Sequence, residues 1–355
     1  MYQYIGILGG MSFRNWLNVV TAAIILILLW TLRDELARAW ELLSSLDIWV
    51  LLLIIPLQLV SYYAGGAAIF SYLKQRGQAM DVNAWDMTRM SLELNFVNHI
   101  LPTAGVSGVS YMTWRLNRLG VSPGRAALAQ VVKFVALFAA FVVLLSISVI
   151  VVTLDTGINR LTILGAAGLA SGLIITIMVV WYVIDNEKRL GGFSRFIARI
   201  INGFGRHVLR QKKDMLSAET VKKFFHELQE DYAVLKKDPR LLIRPFLWGI
   251  VFLVTEVSLF FFTFLSLGEV VNPAAILLAL GIATAVGSVM ITPGGAGGYE
   301  AMMVLMLTSS GIAGATAIAG VLLARVILIL ITIGSGYIFY HLALRKYGNN
   351  RAPSQ

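Results

Sequence analysis

The sequence predicts an all-α polytopic membrane protein. Of its 355 residues, 58% are hydrophobic and only 14% are charged, and the mean hydropathy is +0.78. A soluble domain could not remove this much apolar surface from water. The chain also contains apolar runs of about 20 residues, the length that an α-helix needs to cross a bilayer. We therefore expect a single transmembrane domain over residues 1–355, located in the cell membrane.

Six apolar runs are long enough to be full spans. They lie near 15–32, 49–73, 126–152, 161–184, 245–267 and 313–343. The first run is not followed by a small-residue cleavage motif, so we expect an uncleaved span there rather than a signal peptide.

A polar insert at 185–244 separates the spans into two halves. It carries 14 Lys or Arg residues, and its later part has the apolar periodicity of an amphipathic helix. Because cytoplasmic loops are enriched in Lys and Arg, we expect a basic, helical, cytoplasmic insert. Arg345 and Lys346 place the C-terminus on the same side. Counting the crossings then places both termini in the cytoplasm.

Two further apolar segments, 92–119 and 274–309, are interrupted at Pro and Gly. The interruptions read NHILPTAGVSG and VMITPGGAGG. With six full spans, each segment has to enter and leave the membrane from one side, which makes it a re-entrant helical hairpin. Unwound backbone at that depth has to be buried in protein or line a watery cavity. We expect 49–152 and 245–343 to form an inverted repeat of this kind, and the alternative is eight plain spans.

Polar residues cluster at the first interruption. Asn95, Asn98 and His99 recur at helical spacing and form one polar stripe, which is either the wall of a cavity or a set of interhelical hydrogen bonds. A half-helix that begins near Val109 would present free N–H groups to a phosphate or carboxylate. The other candidate residues at this helix start are Gly105, Ser107, Gly108 and Arg115.

The second interruption offers a similar set of residues. Its glycines would let a ligand approach the start of a half-helix near Tyr299. Glu300 lies in the first turn of that helix, where we expect it to stabilise the helix end first and to contact a ligand second. The other candidates are Pro293, Gly294, Gly295 and Gly297. The glycine run matches neither the Walker nor the Rossmann nucleotide-binding motif.

Three ionisable residues lie well inside predicted spans: Lys133, Glu256 and Arg325. An unpaired charge is costly within the bilayer, so each should face a partner or a polar cavity. Their charges sum to +1, which suits an anionic ligand. The structural alternative is an ion pair between Glu256 and Arg325 that joins the two halves.

Several kinds of chemistry have no support in the sequence. It contains no Cys, and its four His residues lack the spacing of metal ligands, so we expect no metal and no cofactor. Without an ATP-binding motif, any transport would be passive or ion-coupled. A membrane-bound transferase acting on a polyprenyl phosphate is a weaker alternative because no acidic DxD pair is present. A non-transporting scaffold is a third alternative.

The two interrupted segments resemble the signatures of the lysylphosphatidylglycerol synthase transmembrane-region family. NHILPTAGVSGVSYMTWRLNRLGVSPGRA is similar to the first signature and ITPGGAGGYEAMMVLML to the second. The positions that the resemblance assigns are Asn98, Pro102, Pro293, Gly294, Gly295, Gly297 and Glu300. It implies lipid movement, as in the membrane half of multiple peptide resistance factor.

The resemblance therefore implies a flippase-like transporter without a catalytic domain, rather than an enzyme. Its substrate would carry a phosphate-bearing headgroup, as a phospholipid or a polyprenyl phosphate does. We expect membrane lipids and not nucleic acid as partners, and the sequence leaves a homo-oligomer open.

Overall fold

The computed structural model describes residues 46–100, 106–155, 218–290 and 292–347, together with individual positions between 168 and 192. All regular elements in these residues are helical, which confirms the all-α class. The helices are α1 (Ile48–Leu52), α2 (Ile54–Gln75), α3 (Ala84–Ile100), α4 (Val106–Asn117), α5 (Pro123–Asp155), α6 (Ala218–Lys237), α7 (Ile243–Ser266), α8 (Pro273–Val289), α9 (Gly298–Ser309) and α10 (Gly314–Tyr347). Short 3-10 turns at Pro239–Leu242 and Pro293–Gly295 precede α7 and α9.

Four helical stretches among the described residues are long and apolar enough to cross a membrane. They are Ile48–Gln75, Pro123–Ser148, Pro239–Ser266 and Gly314–Tyr347. These stretches correspond to the spans expected at 49–73, 126–152, 245–267 and 313–343. The expected span at 15–32 lies outside the described residues, and the one at 161–184 is described only at individual positions.

Two pairs of shorter helices lie between the long ones. Helices α3 and α4 contact each other across residues 101–105, which lie outside the described residues, and α8 contacts α9 across the Pro293–Gly295 turn. Helices α4 and α9 have 12 residues each. At 1.5 Å per residue each is about 18 Å long, well short of the roughly 30 Å of a hydrocarbon core.

The helices on either side of the insert pack in the same order. The contacts α2–α3, α3–α4 and α4–α5 have counterparts in α7–α8, α8–α9 and α9–α10. Each short pair also reaches the other half, because α3 packs against α10 and α8 packs against α5. The most extensive contact in the described structure joins α2 and α7. Each interrupted pair is therefore held by long helices from both halves.

Helix α6 belongs to the basic insert, yet it is attached through acidic residues. The buried Asp231 accepts hydrogen bonds from Arg76 at 3.1 Å and from Arg125 at 2.9 Å. One turn earlier, Glu227 accepts a hydrogen bond of 3.0 Å from the backbone N–H of Gly124. The helix thereby ties the end of α2 to the start of α5.

Candidate functional site at the helix interruptions

The two helix interruptions meet inside the protein. His99, near the end of α3, lies against Gly294 in the turn before α9, where a Cβ atom built on Gly294 would be 2.8 Å from His99 Cδ2. Gly294 has φ of 60°, a left-handed conformation that glycine adopts without strain. His99 is held in turn by its Nδ1, which lies 2.8 Å from the carbonyl oxygen of Asn95.

Arg325 of α10 fixes the second interruption. Its Nε donates a 2.7 Å hydrogen bond to Glu300 Oε1, and its Nη2 donates a 2.9 Å hydrogen bond to the carbonyl oxygen of Gly294. Its guanidinium carbon lies 4.3 Å from the centre of the Tyr299 ring. The Nη1 group has no partner among the described residues. Arg325 therefore fixes the turn, and its Nη1 group is left to donate hydrogen bonds to a ligand.

Glu300 closes the start of α9. Its Oε2 accepts a 2.7 Å hydrogen bond from the backbone N–H of Gly297, the N-cap residue. An acceptor at this position satisfies a helix N–H that would otherwise lack a partner. The Glu300 carboxylate thus acts first as a helix-end group. It also pairs with Arg325, whereas the alternative drawn from the sequence was a pair between Arg325 and Glu256. The neighbouring Gly295 packs against the backbone of Gly287 in α8.

Asn98 has the equivalent role at the first interruption. Its Oδ1 accepts a 2.9 Å hydrogen bond from the backbone N–H of Gly108. A Cβ atom on Gly108 would lie 2.3 Å from that oxygen, so a larger residue there would displace the Asn98 side chain. Ser107 lies in the first turn of α4, and Gly105 lies outside the described residues. At each interruption, a backbone N–H that was expected to bind a ligand instead donates a hydrogen bond to a side chain, Asn98 at the first and Glu300 at the second.

Lys133 lies on α5 near the start of α4. The side chain of Gln130 donates hydrogen bonds to the carbonyl oxygen of Val109 and to Thr113 of α4, at 3.2 and 3.0 Å. Lys133 follows Gln130 by one turn, on a neighbouring part of the same helix face. Because α4 and α5 run in opposite directions, the turn of α5 that carries Lys133 is level with the start of α4. The ammonium forms no hydrogen bond or ion pair with any described residue.

Glu256 lies on α7, where it faces α2. Its Oε1 accepts a 2.5 Å hydrogen bond from the hydroxyl of Ser61. It lies within electrostatic range of Arg325 and Tyr299. No Lys or Arg of the described chain forms an ion pair with it.

We call this set the central polar cluster. It consists of Asn95, Asn98, His99, Glu256, Pro293, Gly294, Gly295, Gly297, Glu300 and Arg325. Its three formal charges, on Glu256, Glu300 and Arg325, sum to −1. No hydrogen bond or ion pair of the described residues joins Lys133 to this set. Its charged and polar side chains all remain partly exposed, with 13% for Arg325 and 17% for Glu300. On α3 the polar stripe is the accessible side, whereas the intervening Phe96 and Val97 are buried.

Arg115 is the candidate residue that the structure places elsewhere. It lies in the last turn of α4, with its Nε 3.4 Å from Glu93 Oε2 and its guanidinium carbon 4.2 Å from the centre of the Tyr347 ring. Glu93 is fully buried and also accepts hydrogen bonds from Arg89 at 2.9 Å and Tyr111 at 2.8 Å.

These four residues, Arg89, Glu93, Tyr111 and Arg115, form a second set that we call the Glu93 cluster. Reasoning from the sequence did not find it. The available signal was an Arg and a Glu spaced four residues apart in an otherwise apolar segment.

Comparison with known proteins identifies the family. The model of the family described as lysylphosphatidylglycerol synthase TM region matches residues 15–336, which include both interruptions and the whole central polar cluster. No curated protein and no solved structure matched the chain in two further comparisons. The four long apolar helices and this match identify a multi-pass membrane protein. The chain belongs to the lysylphosphatidylglycerol synthase transmembrane-region family.

Proposed function

We propose that this chain is a flippase-like transporter of the cell membrane, which moves a lipid with a phosphate-bearing headgroup between the leaflets. The observation that carries this proposal is the meeting of two interrupted helix pairs at a polar, partly exposed cluster. Irregular backbone is tolerated at membrane depth where it faces protein or a watery cavity. Interrupted helices of this kind form the substrate sites of many secondary transporters. The headgroup would cross through the cluster while the acyl chains stay in the bilayer.

In this proposal α3–α4 and α8–α9 are re-entrant hairpins of an inverted repeat. The shortness of α4 and α9 and the matching order of helix contacts support this arrangement. The basic insert and both termini would lie in the cytoplasm, in agreement with their Lys and Arg content.

The phosphate would bind to Arg325 in the central polar cluster and to Lys133 at the start of α4, because each has donor capacity left. The Nη1 of Arg325 and the ammonium of Lys133 have no partners among the described residues. Arginine recognises phosphate through directed hydrogen bonds, and lysine adds a compact positive charge. Asn98 and His99 would contact polar substituents of the headgroup from the accessible side of α3.

A leaflet-resolved lipid assay in proteoliposomes tests the site. We expect Arg325→Gln and Lys133→Gln each to slow translocation roughly tenfold to a hundredfold, because a charge-assisted hydrogen bond contributes about 1.5–3 kcal/mol. Arg345→Gln is the matched control, since it removes the same charge from an exposed position on α10. Lys133→Gln removes no hydrogen bond or ion pair within the described structure, so a slower rate in this variant would point to the lost charge. Wild-type rates in both site variants would contradict the proposal.

Single-cysteine labelling tests the hairpin topology. The chain has no native Cys, so each introduced thiol reports one position. Val270→Cys, before α8, and Ser310→Cys, after α9, lie at exposed positions. We expect a membrane-impermeant maleimide to label both from the outer side and to label Arg345→Cys only from the cytoplasmic side. Labelling of Val270→Cys and Ser310→Cys from opposite sides would show that α8 and α9 together cross the membrane.

A further inference from the structure

We propose that Glu256 is a proton-binding site that couples lipid movement to the movement of a proton, an inference that rests on the proposed function. The anionic headgroup and the proton would bind to the central polar cluster together and cross the membrane together. Three observations carry this inference: the position of Glu256, its lack of a basic partner and the excess of acid in the cluster.

Glu256 lies about halfway along a membrane span. Helix α7 has 24 residues, and Glu256 lies 13 residues after the first of them, Ile243. The helix belongs to one of the four stretches that are long and apolar enough to cross a membrane. An ionised side chain at this depth is costly unless it has a partner. The residue is nevertheless partly exposed, so its carboxyl group is not sealed within the protein.

The contacts of Glu256 leave its charge without a counter-ion. Within the described part of the chain its one hydrogen bond is the one that Oε1 accepts from Ser61, at 2.5 Å. The one cation within electrostatic range is Arg325. Its guanidinium donates instead to Glu300 and to the carbonyl oxygen of Gly294. A proton is the remaining means of neutralising an acid in such a place.

The other groups around Glu256 supply no further positive charge. Of the helices that pack against α7, α1 and α8 contain no titratable residue. Besides Arg325 of α10, the titratable groups within electrostatic range are Tyr62 of α2 and Tyr299 of α9. Both are tyrosines, which are uncharged at neutral pH. Lys133 of α5 is not among the groups that act on Glu256.

The central polar cluster therefore holds more acid than a phosphate-binding site should. Its two acids and one arginine sum to −1, and a phosphate brought to Arg325 would add to this negative charge. Like charges repel strongly where water screens them poorly. A proton on Glu256 brings the sum to zero and removes this repulsion. Headgroup and proton thus favour each other's binding, and each increases the affinity for the other by the same factor.

This coupling determines which gradient can drive the lipid. A headgroup with one negative charge and one proton together carry no net charge, so the membrane potential would not act on their movement. A pH gradient would act on it. With one proton per lipid, a gradient of one pH unit can hold the lipid about tenfold enriched in the leaflet on the alkaline side, because equal concentration ratios balance in free energy.

Infrared difference spectroscopy of the purified full chain in detergent tests the proton site without any lipid movement. Spectra are recorded before and after addition of phosphatidylglycerol at constant pH. We expect the lipid to increase the C=O absorption of a protonated carboxylic acid, and we expect this increase to be lost in Glu256→Gln. Glu269→Gln is the matched control, because it makes the same substitution at an exposed position after α7 and should keep the increase.

Ser61→Ala assigns the infrared signal while leaving the acid in place. The C=O group of Glu256 would lose the hydrogen bond that Ser61 donates. We therefore expect the increase to persist but to move to a higher frequency. An unchanged frequency in this variant would show that the signal comes from another acid and would contradict the assignment to Glu256.

Proteoliposomes test the coupling. The distribution of a fluorescent phosphatidylglycerol between the leaflets is measured with a gradient of one pH unit, imposed in either direction, and the redistribution in protein-free vesicles is subtracted. We expect the wild type and Glu269→Gln to enrich the probe about tenfold on the alkaline side. We expect Glu256→Gln to lose this response.

Two results would overturn the proton site. One is a wild-type protein that gives no lipid-dependent carboxylic acid signal, and the other is a signal or a gradient response that persists in Glu256→Gln. The outcome is separable from that of the proposed function. A Glu256 signal in a protein that does not move the lipid would support the proton site and reject the flippase, whereas translocation that ignores the gradient would support the flippase and reject the coupling.

Discussion

The Glu93 cluster and the central polar cluster both place charged side chains among apolar helices, but they differ in how far their charged groups are buried and paired. In the Glu93 cluster both carboxylate oxygens receive donors, and the acid is fully buried. In the central polar cluster the side chains remain partly exposed, and the Nη1 of Arg325 has no partner among the described residues, as is also true of the Lys133 ammonium on α5. A buried carboxylate with both oxygens bonded holds helices together, whereas an accessible cation with donor capacity left can bind a ligand. The burial and the pairing of a charge thus indicate its role better than its presence does.

The largest effect that this comparison predicts is on stability at Glu93. Glu93→Leu would leave the 4% exposed side chain of Arg115 without a counter-ion, and removal of one partner from a buried pair costs about 3–5 kcal/mol. Lys133→Met should cause no loss of stability, because the ammonium has no partner to lose. Thermal unfolding of both variants in detergent measures the difference. Equal destabilisation by the two substitutions would remove the distinction between the clusters.

A smaller effect is expected at the first interruption, where Gly108 packs against Asn98. Gly108→Ala would place a Cβ atom 2.3 Å from Asn98 Oδ1, so the Asn98 side chain has to move and lose its hydrogen bond with the Gly108 N–H. Such overpacking costs about 1–3 kcal/mol. Gly334→Ala is the control, because nothing lies within 4 Å of its Cβ position in α10, and alanine should add up to about 1 kcal/mol of helix stability there. Comparable unfolding temperatures for Gly108→Ala and wild type would argue against a closed Asn98–Gly108 contact.

The parts of the site that depend on local chemistry could be predicted from the sequence. Glu300 lies three residues after its N-cap, so its helix-end role follows from the spacing alone. The starts of α4 and α9, at Val106 and Gly298, fall close to the expected positions because Pro and Gly interrupt helices wherever they occur together. The four long helices follow from apolar runs that only a bilayer-spanning helix explains.

The pairing of distant residues could not be predicted in the same way. In the sequence Arg115 and Arg325 are both candidate ligands for an anionic headgroup, the first shortly after an interruption and the second inside a span. The structure pairs the first with Glu93 in a buried network and places the second at the meeting of the two interruptions. The Glu256–Arg325 pair suggested by charge alone was wrong, because Glu300 lies closer to the guanidinium and is held in place as a helix cap.

The sequence by itself determined that this is a helical membrane protein, where its helices are interrupted and which polar residues lie at those points. Composition and local backbone preference decide these features, and both act over a few neighbouring residues. Only the tertiary structure decided which polar atoms are bonded and which are left open, as at Lys133 and Arg325. Hydrogen bonds and ion pairs depend on distances of a few ångströms between helices far apart in the chain, and packing alone sets those distances.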